Sequence, residues 1–366
     1  MINKVTFLIS SLSGGGAEGL CVNIANGLAS RGWDISLIVL NTKKSVFHNR
    51  INKKVNFKIL GISNTRYSFK ALYQFIKNEE PLKLVVFNYE LTVMMYFVRL
   101  LSFKKFILIS RNINTISKKK ENLKGIWIKY FVFPIIDFFY KKSDHIINQC
   151  KSMQNDIVKH YNLDQKKTSV IYNPVNEIIE KHNQRNEIEL NKEGYLLCVG
   201  RLESQKALNY SITAFSNVLK IFPNLRLKIL GEGSLRNELI KLTIDLGIKN
   251  KVDFVGFDSD IIKYFSKAEA TILSSLYEGF PNVLIESIAL GTPVVSFDCK
   301  SGPSEIIENG INGYLAKYLD VNDLEAKILL TLNKRWNYKL IAESAHRFRL
   351  DSALNRWENL LTKKFN

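Results

Sequence analysis

Cysteine and histidine are scarce in this chain, and their spacing excludes the sites that these residues usually build. The 366 residues include four cysteines and five histidines. Cys21, Cys150, Cys198 and Cys299 lie far apart and form no Cys-x-x-Cys pair or Cys/His cluster. Neither a disulfide framework nor a structural zinc site fits this spacing. We therefore expect the reduced, buried thiols of a cytoplasmic protein.

Long apolar runs are also missing. No stretch reaches the roughly 18–20 uninterrupted apolar residues of a membrane-spanning helix. The first residues, MINKVTFLIS, lead directly into a strand-like pattern without a small-residue cleavage site, so we expect no signal peptide. A hydrophobic content of 46% still allows a sizeable core. The length predicts two domains, because single cores stop growing at about 250–300 residues.

Acidic residues are scarce in the first half only. Residues 1–175 carry 27 Lys and Arg against 10 Asp and Glu, whereas residues 176–366 carry 25 against 24. The net charge of +18 is therefore concentrated in the first half. This asymmetry predicts an anionic partner for that half, and nucleic acid and an acidic membrane surface are the two candidates.

Strand-like and helix-like segments alternate through both halves, which predicts parallel sheets covered by helices on both faces. The polar stretch 175–194 is predicted to be the linker. We expect an α/β protein of two doubly wound, Rossmann-like domains facing each other across a cleft, with a ligand beyond the carboxyl ends of the strands. The predicted strands are residues 4–10, 35–40, 55–60, 84–87, 106–109, 145–148 and 169–172, then 195–199, 226–230, 252–255, 270–273 and 293–296.

Two segments of the first half combine apolar bulk with basic residues. Leu91–Phe106 is interpreted as a core helix, with an interfacial membrane helix as the alternative. Leu123–Lys142, which follows Lys118–Lys120, has more apolar residues than one buried face needs. That second segment is interpreted as an interfacial membrane helix, although a core helix is the alternative.

A glycine-rich stretch, Gly14-Gly15-Gly16-Ala17-Glu18-Gly19, follows the first predicted strand and opens the first helix. It satisfies the G-x-G-x-x-G pattern of dinucleotide-binding sites. Such sites also need an acidic residue at the end of the second strand, but Asn41 and Thr42 are found there. The NAD interpretation is therefore disfavoured, and a phosphate or a sugar hydroxyl becomes the expected ligand of this loop.

The second half places basic residues and glycines after its first strands. Arg201 and Lys206 follow the first strand, and together they could bind a diphosphate. Gly231 begins a Gly-Glu-Gly turn after the next strand, where a nucleotide could pack against the backbone. Gly256 and Phe257 follow a third strand and could contact a base.

The stretch Ser275–Ile307 contains two carboxylates around the start of a predicted helix. Glu278 lies in the loop before Gly279, Phe280 and Pro281, and Glu286 lies in the second helical turn. Pro281 suits the first helical position, and the backbone N–H groups of Gly279 and Phe280 are expected to face an anion. A loop glutamate, a solvated helix glutamate and an ordinary helix start are the alternative interpretation.

No motif for a metal ion is found. Asp258-Ser259-Asp260 has suitable spacing but is interpreted as a helix N-cap. Catalysis would then depend on Arg201, Lys206 and helix dipoles to stabilise a departing diphosphate.

Taken together, these motifs resemble the retaining glycosyltransferases of family 4, which have the two-domain GT-B fold. The resemblance rests on GGGAE, VGRLESQK, GEG and EGFPNVLIE, which occur here in the family's order. The last contains the family's pair of glutamates separated by seven residues, here Glu278 and Glu286. The resemblance is strong over residues 194–316 and weaker across the first half.

The resemblance implies roles for individual residues. Arg201 and Lys206 would hold the donor diphosphate, Glu286 the ribose hydroxyls and Glu278 the donor sugar. With Arg201 and Lys206, Glu278 would complete the catalytic set, and the family needs no metal ion or other cofactor. The expected donor-binding residues are Gly15, Gly16, Arg201, Lys206, Gly231, Gly256, Phe257, Glu278, Gly279, Phe280 and Glu286.

The chain departs from the family at the fifth strand, where Ser110-Arg111-Asn112 replaces the frequent histidine. Arg111 and Asn112 become candidates for contacting the acceptor, together with Glu18 beside the glycine loop. The family also implies domains at residues 1–175 and 176–345, and a C-terminal segment, residues 346–366, whose helix returns to the first domain.

The sequence therefore predicts transfer of a hexose or N-acetylhexosamine from a UDP-sugar to a polyprenyl-diphosphate-linked glycan in surface polysaccharide synthesis. The basic first domain would bind the anionic inner face of the plasma membrane. A nucleotide-sugar epimerase or a transferase with a soluble acceptor is the alternative. A nucleic-acid-binding protein is a remote one, because no recognition-helix motif or aromatic-rich basic sheet is found.

Overall fold

A computed structural model describes residues 3–13, 16–42, 46–113, 130, 133–185, 188 and 191–365. The chain divides into two units. Unit 1 comprises residues 1–174 and 350–366, and unit 2 comprises residues 175–349. The corresponding predicted ends were residues 175 and 345. Among the described residues, no helix combines the length and the apolar character needed to cross a membrane.

Unit 1 contains a seven-stranded parallel sheet in the order β3-β2-β1-β4-β5-β6-β7. Its inner strands are largely buried, as a parallel sheet with two covered faces requires, whereas the edge strand β3 is mostly exposed. They are β1 (Lys4–Ile9), β2 (Asp34–Val39), β3 (Asn56–Ile59), β4 (Lys83–Val86), β5 (Ile107–Arg111), β6 (His145–Asn148) and β7 (Thr168–Val170).

Helices connect these strands except β2 and β3, which are joined by a loop with a 3₁₀ turn at His48–Arg50, and one further helix comes from the C-terminal part of the chain. They are α1 (Gly16–Ser30), α2 (Phe69–Glu79), α3 (Tyr89–Ser102), α4 (Phe133–Tyr140), α5 (Lys151–Tyr161) and the C-terminal α14 (Leu350–Thr362). Trp357 of α14 is fully buried, and its ring packs 5.8 Å from Phe7 and 6.1 Å from Phe87. The last helix therefore completes the core of unit 1.

Unit 2 contains a six-stranded parallel sheet in the order β10-β9-β8-β11-β12-β13, the strand order of a Rossmann fold. Its core consists of leucine, isoleucine and phenylalanine side chains between this sheet and its helices. The strands are β8 (Tyr195–Val199), β9 (Arg226–Leu230), β10 (Val252–Gly256), β11 (Ala270–Leu273), β12 (Val294–Phe297) and β13 (Gly313–Ala316).

The helices of unit 2 alternate with its strands, so each strand pair is connected through a helix. They are α6 (Glu177–Arg185), α7 (Leu208–Val218), α8 (Arg236–Asp245), α9 (Ile262–Lys267), α10 (Asn282–Ala289), α11 (Pro303–Ile306), α12 (Val321–Asn333) and α13 (Tyr338–Ser344). The prediction of two Rossmann-like α/β domains is confirmed.

Two elements differ from the sequence-based expectation. The stretch predicted as a linker contains helix α6, whose Ile179 is fully buried although Ile178 is exposed. The helix was missed because its composition is mostly polar, and few of its side chains pack against the rest of unit 2. Strand β13 was not predicted, because it begins with a glycine and only its first and last residues are buried, so it lacks the continuous buried apolar segment of the predicted strands.

The segment Leu91–Phe106, predicted to be a core helix, is only partly buried. One side of α3 packs into the core through Leu91, Met95 and Val98. At its C-terminal end Leu100, Leu101 and Phe103 are exposed. Of the predicted interfacial helix Leu123–Lys142, residues 123–129, 131 and 132 lie outside the described residues, as does the preceding Lys118–Lys120.

Candidate functional site

The strand order of unit 2 brings two loops together at the carboxyl edge of its sheet. Strands β8 and β11 are neighbours at the centre, where the direction of chain progression reverses. In open α/β sheets, ligands bind beyond the carboxyl ends of the strands at such a switch point. The loop after β8 contains Arg201 and Lys206, and the loop after β11 contains Glu278.

Lys206 and Glu278 form an ion pair at this switch point. Lys206 Nζ lies 2.6 Å from Glu278 Oε1, and both side chains are largely buried. Ser275 Oγ donates a hydrogen bond of 2.6 Å to the same carboxylate oxygen. Two donors thus fix the orientation of the Glu278 carboxylate. The sequence indicated Lys206 and Glu278 but not Ser275, three residues before Glu278 on the same loop.

Backbone and amide contacts hold the two loops in register. Leu276 donates its N–H to the carbonyl of Gln205 at 2.9 Å, and the Gln205 amide donates to the carbonyl of Tyr277 at 3.0 Å. Ser274 Oγ donates to the carbonyl of Ala207 at 2.9 Å. The Lys206–Glu278 pair therefore lies on a prearranged framework and does not depend on flexible side chains alone.

A third loop, after β12, closes one side of the pair. Its Cys299 thiol is buried, and burial, followed by the charges of Glu278 and Asp298, raises its pKa to about 12. Gly302 adopts a φ of +97°, and an added Cβ would lie 2.5 Å from Pro281 Cδ. Glycine is therefore required at this position for the loop to pack against the start of α10.

Helix α10 carries the second predicted carboxylate. Pro281 was predicted at the first helical position but instead precedes the helix, with an extended ψ of 96°, and its carbonyl accepts the N–H of Leu284 at 3.0 Å. Part of Glu286 is accessible to solvent. The protein around its carboxyl nevertheless removes enough water to raise the pKa to about 7.

Gly279 and Phe280 join the carboxylate loop to α10. The Phe280 side chain is buried, with its ring 5.6 Å from that of Phe348. Its aromatic group thus serves the core of unit 2, and only its backbone could contact a ligand. The predicted contact of this backbone with sugar and phosphate stays a prediction.

The remaining predicted donor residues occupy the edge beside β8. Arg201 is exposed. Gly231 has a φ of +130°, and a Cβ there would lie 2.0 Å from the carbonyl oxygen of Gly200, so this glycine allows two loops to approach each other. Gly256 ends β10, and the next residue, Phe257, is 77% exposed. An aromatic ring left this open at a carboxyl edge is available for stacking.

In unit 1, the described part of the glycine loop begins with Gly16, the first residue of α1. Gly14 and Gly15 lie outside the described residues. Glu18 lies in the first turn of α1, where its charge suits the helix dipole. An acceptor role for Glu18 stays a prediction.

The other two acceptor candidates are buried at the carboxyl ends of β5, β6 and β7. The Arg111 guanidinium, 1% exposed, donates to the carbonyl of Asn148 at 3.3 Å and to Asn173 Oδ1 at 2.8 Å. Burial lowers its pKa to about 9. Asn112 donates to Asn148 Oδ1 at 3.1 Å. This arrangement gives Arg111 a structural role in joining three strands, and its contact with an acceptor stays a prediction.

The predicted helix N-cap at Asp258 is wrong in detail. Helix α9 begins at Ile262, and Asp258 instead accepts hydrogen bonds from the Asp260 N–H and the Tyr264 hydroxyl at 2.9 Å. Together with Lys263, these donors lower the pKa of Asp258 to about 2. In the part of the chain that the structure describes, no group of three or more His, Cys, Asp or Glu side chains is arranged to hold a metal ion.

Two family descriptions match the chain, one for each unit. Residues 14–177 match Glycosyltransferase Family 4, and residues 180–349 match Glycosyl transferases group 1. Together they account for nearly the whole chain. The chain therefore belongs to the family 4 glycosyltransferases, and the expected family is confirmed.

Individual relatives agree with this assignment. An uncharacterized glycosyltransferase of Haemophilus influenzae is 26% identical over 375 residues, covering 98% of this chain and 100% of the relative. The N-acetylgalactosamine-N,N'-diacetylbacillosaminyl-diphospho-undecaprenol 4-alpha-N-acetylgalactosaminyltransferase of Campylobacter jejuni is 34% identical over 207 residues, covering 56% of this chain. The chain spans about half the length of that relative, 54%.

The fold has solved counterparts. The crystal structure of Anabaena HepE in complex with UDP superimposes with a TM-score of 0.76 at 18% identity, covering 98% of this chain and 99% of HepE. At that identity the similarity concerns the fold, which is GT-B. The two family matches, rather than this superposition, make the protein a glycosyltransferase.

Proposed function

We propose that this glycosyltransferase moves a hexose or N-acetylhexosamine from a UDP-sugar to a lipid-linked glycan, with retention of the anomeric configuration and without a metal ion. The observation that carries the proposal is the buried Lys206–Glu278 pair at the switch point of unit 2. An ammonium and a carboxylate in contact match the two parts of a nucleotide sugar, because phosphate oxygens accept hydrogen bonds and sugar hydroxyls donate them.

Arg201 and Lys206 would bind the diphosphate of the donor. An ammonium group has three N–H donors, so Lys206 can keep its bond to Glu278 and still donate to phosphate oxygens. Arg201 adds a second cation on the same loop, and its guanidinium can bind phosphate through two parallel hydrogen bonds. These two residues would stabilise the charge that develops as the diphosphate departs.

Glu278 would accept hydroxyl groups of the transferred sugar, since its carboxylate is already oriented by Lys206 and Ser275. Glu286 would accept the ribose hydroxyls, Phe257 would stack against the uracil, and Gly256 would allow the base to come close. The backbone of Gly279 and Phe280 would contact sugar and phosphate, and Gly15 and Gly16 remain proposed donor contacts. The two glutamates then have separate tasks, one on the transferred sugar and one on the nucleotide left behind.

The proposed chemical step replaces one glycosidic bond by another on the same face of the sugar. The bond between the anomeric carbon and the diphosphate oxygen breaks, and the acceptor hydroxyl oxygen forms the new bond. The departing phosphate oxygen receives the proton of that hydroxyl, so no protein base is needed. Arg201 and Lys206 provide the positive charge that a metal ion supplies in other phosphate chemistry.

A lipid-linked acceptor is supported by two observations. The Campylobacter relative carries a diphospho-undecaprenol acceptor in its name. The excess positive charge of this chain lies in residues 1–175, as an acceptor held at an anionic membrane surface would favour. Glu18, Arg111 and Asn112 are the candidates for contact with the acceptor in unit 1. The enzyme would then work in surface polysaccharide synthesis at the cytoplasmic face of the plasma membrane.

The alternatives share parts of this proposal. A GT-B epimerase would use the same nucleotide site but would need an acid–base pair at the sugar carbon. A transferase with a soluble acceptor would not require a basic first half. Nucleic-acid binding accounts for the charge alone and leaves the Lys206–Glu278 pair without a role.

One assay tests the proposal. The purified full chain is incubated with a panel of UDP- and GDP-sugars and polyprenyl-diphosphate sugars, and the product linkage is determined by NMR. Transfer from one UDP-sugar with retained configuration is expected. Inverted configuration, an epimerised donor or transfer confined to soluble acceptors would each refute a named part of the proposal.

A further inference from the structure

The C-terminal end of α3 has a residue that neither the fold nor the core explains. Phe103 follows the last residue of the helix in the left-handed conformation, with a φ of 55° and a ψ of 18°. Glycine or asparagine normally occupies this position, because a Cβ is strained there. The Phe103 side chain is 90% exposed. Phenylalanine is thus unfavourable here for the backbone and gains almost nothing from burial.

The same chain uses the expected residue elsewhere. Helix α5 ends with Asn162 in the left-handed conformation, with a φ of 50°. A polar residue therefore suits this type of helix end in unit 1. The phenylalanine at the end of α3 calls for an explanation outside the folded chain itself.

Phe103 is part of a larger apolar surface. Leu100 and Leu101 are at least half exposed in the last turn of α3. They lie one turn beyond Tyr96 and Phe97, whose rings contact Phe139 of α4. The exposed apolar surface thus continues from the end of α3 towards α4, where Ile135 and Phe138 are exposed.

Basic residues flank these side chains. Lys104 and Lys105 directly follow Phe103, and Lys141 and Lys142 place their ammonium groups 5.0 Å and 5.4 Å from the ring centre of Phe138. Glu80 pairs with Lys104, and Asp144 pairs with Arg99. Among the residues that the structure describes here, five cations therefore face two carboxylates, which gives this part of the surface a positive charge.

A cavity of about 440 Å³ lies between the end of α3 and the start of β5. It is lined by Leu82, Phe106, Arg99, Lys104, Lys105 and Asp144, among others. The cavity lies at the amino end of β5, where the Ile107 N–H bonds to the carbonyl of Leu82 at 2.9 Å. Its charged walls offer room for a phosphate-bearing headgroup close to the exposed end of α3.

We propose that this surface, formed by Leu100, Leu101, Phe103, Ile135 and Phe138 with Arg99, Lys104, Lys105, Lys141 and Lys142, docks unit 1 on an anionic lipid bilayer. The inference rests on the proposed function in one respect, since a lipid-linked acceptor places the enzyme at a membrane. The occupant is a bilayer because exposed aromatic and aliphatic side chains with flanking lysines match the interface between headgroups and acyl chains. An apolar protein surface without negative charge would leave the excess of lysines without a counterpart.

The decisive variant is Phe103→Asn, because asparagine favours the left-handed conformation. The substitution is expected to leave the melting temperature unchanged or higher, and to weaken binding to vesicles about ten-fold or more. The double variant Lys104→Glu/Lys105→Glu is expected to lose at least about 25-fold in affinity for the vesicles. Each lysine contributes a factor of about five to binding at an anionic surface. A matched control, Ile244→Ser with Lys241→Glu on α8 of unit 2, should bind like the wild type.

The measurement is flotation of the purified full chain with phosphatidylcholine vesicles containing about one-third phosphatidylglycerol at physiological ionic strength. Failure of the wild type to float would overturn the proposal, as would wild-type flotation of Phe103→Asn. If the wild type forms a dimer that dissociates in Phe103→Asn, and neither protein binds vesicles, the surface contacts a second copy of the chain. That result would also overturn the proposal.

A separate readout distinguishes this inference from the proposed function. Transfer to a water-soluble acceptor should proceed at the wild-type rate in Phe103→Asn, because Phe103 lies at the amino edge of the sheet and the site residues lie at the carboxyl edges. Absence of transfer in every form, with normal flotation, would refute the function and retain the surface. If Phe103→Asn were the one variant that transferred slowly to the water-soluble acceptor, Phe103 would act on catalysis, and the surface would be refuted as a docking element.

Discussion

Lys206 Nζ and Glu278 Oε1 are 2.6 Å apart although 72 residues separate them in the chain. Each follows a different strand, and the two strands are neighbours only because the chain reverses its direction of progression between them. The contact is therefore a product of topology. It joins a cation suited to phosphate with a carboxylate suited to sugar hydroxyls in one buried place.

The first prediction separates stability from activity at this pair. Lys206→Ala and Glu278→Ala should each leave a folded protein that has lost at least about 100-fold in kcat/KM. Each should also lower the stability of unit 2 by about 3 kcal/mol, because a largely buried charge loses its partner. The double variant Lys206→Met/Glu278→Gln should recover most of the stability but none of the activity. Thermal unfolding and initial rates check both parts, and full activity in any of the three would contradict the site assignment.

The second prediction concerns pH and Glu286. Its pKa of about 7 in the folded protein lies above the ordinary value, so the folded state holds the proton more tightly than the unfolded state. The resulting stabilisation is present at acidic pH and is lost as the pH rises through about 7. Glu286→Gln should therefore melt at a higher temperature than the wild type near pH 8 and at a similar temperature near pH 5.

The same variant reports on the donor. If the ionised carboxylate accepts the ribose hydroxyls, the KM of the wild type for the donor should fall between about pH 6 and pH 8. Glu286→Gln should show a flat profile in that range. A KM that falls equally in both proteins would remove Glu286 from the ribose site.

The third prediction concerns the loop after β12. Gly302→Ala introduces a Cβ 2.5 Å from Pro281 and strains a backbone with a φ of +97°. We expect a loss of about 2–3 kcal/mol in stability and a raised KM for the donor, because the start of α10 must move. Gly247→Ala is the matched control, since its φ is +70° and an added Cβ meets nothing within 4 Å. The control should lose about 1 kcal/mol of stability and keep its KM for the donor.

The fourth prediction concerns metal ions. Arg201 and Lys206 supply the positive charge at the proposed diphosphate site, so transfer should proceed at the same rate in excess EDTA as in Mg²⁺. Initial rates after exhaustive dialysis against the chelator provide the measurement. Restoration of activity by Mg²⁺ alone would show that the two cations are insufficient.

Much of the architecture could be predicted from the sequence, because parallel strands buried on both faces are continuous apolar segments. The bounds of β6, β8, β9 and β11 agree with the prediction residue for residue. Helix α6 was missed because it buries Ile179 while Ile178 faces solvent, so its composition resembles that of a loop. Local composition fails where a helix is anchored by few side chains.

The candidate site was only partly predictable, because local motifs and tertiary contacts are different kinds of information. Lys206 and Glu278 were predicted as site residues from the motifs that surround them, and the structure brings the two side chains into contact. The role of Ser275 follows from the direction in which its loop turns after β11, and that of Gly302 follows from its distance to Pro281. Neither relation leaves a local signal.

The exposed end of α3 shows a further limit of predicting burial from the sequence. Leu91–Phe106 has an apolar load that suits a core helix, and one side of α3 is indeed buried. The same apolar residues continue into the final turn, where Phe103 faces solvent. Apolar composition alone does not distinguish a side chain that is buried in the core from one that is exposed at the surface.

The packing of Trp357 against Phe7 and Phe87 also has a consequence for synthesis of the chain. Residues 175–349, a continuous unit, interrupt the sequence of unit 1, whose core is completed by α14. All of unit 2 is translated before the last helix of unit 1. Synthesis of unit 1 thus begins first and ends last. Its apolar core stays incomplete until the helix that carries Trp357 has been made.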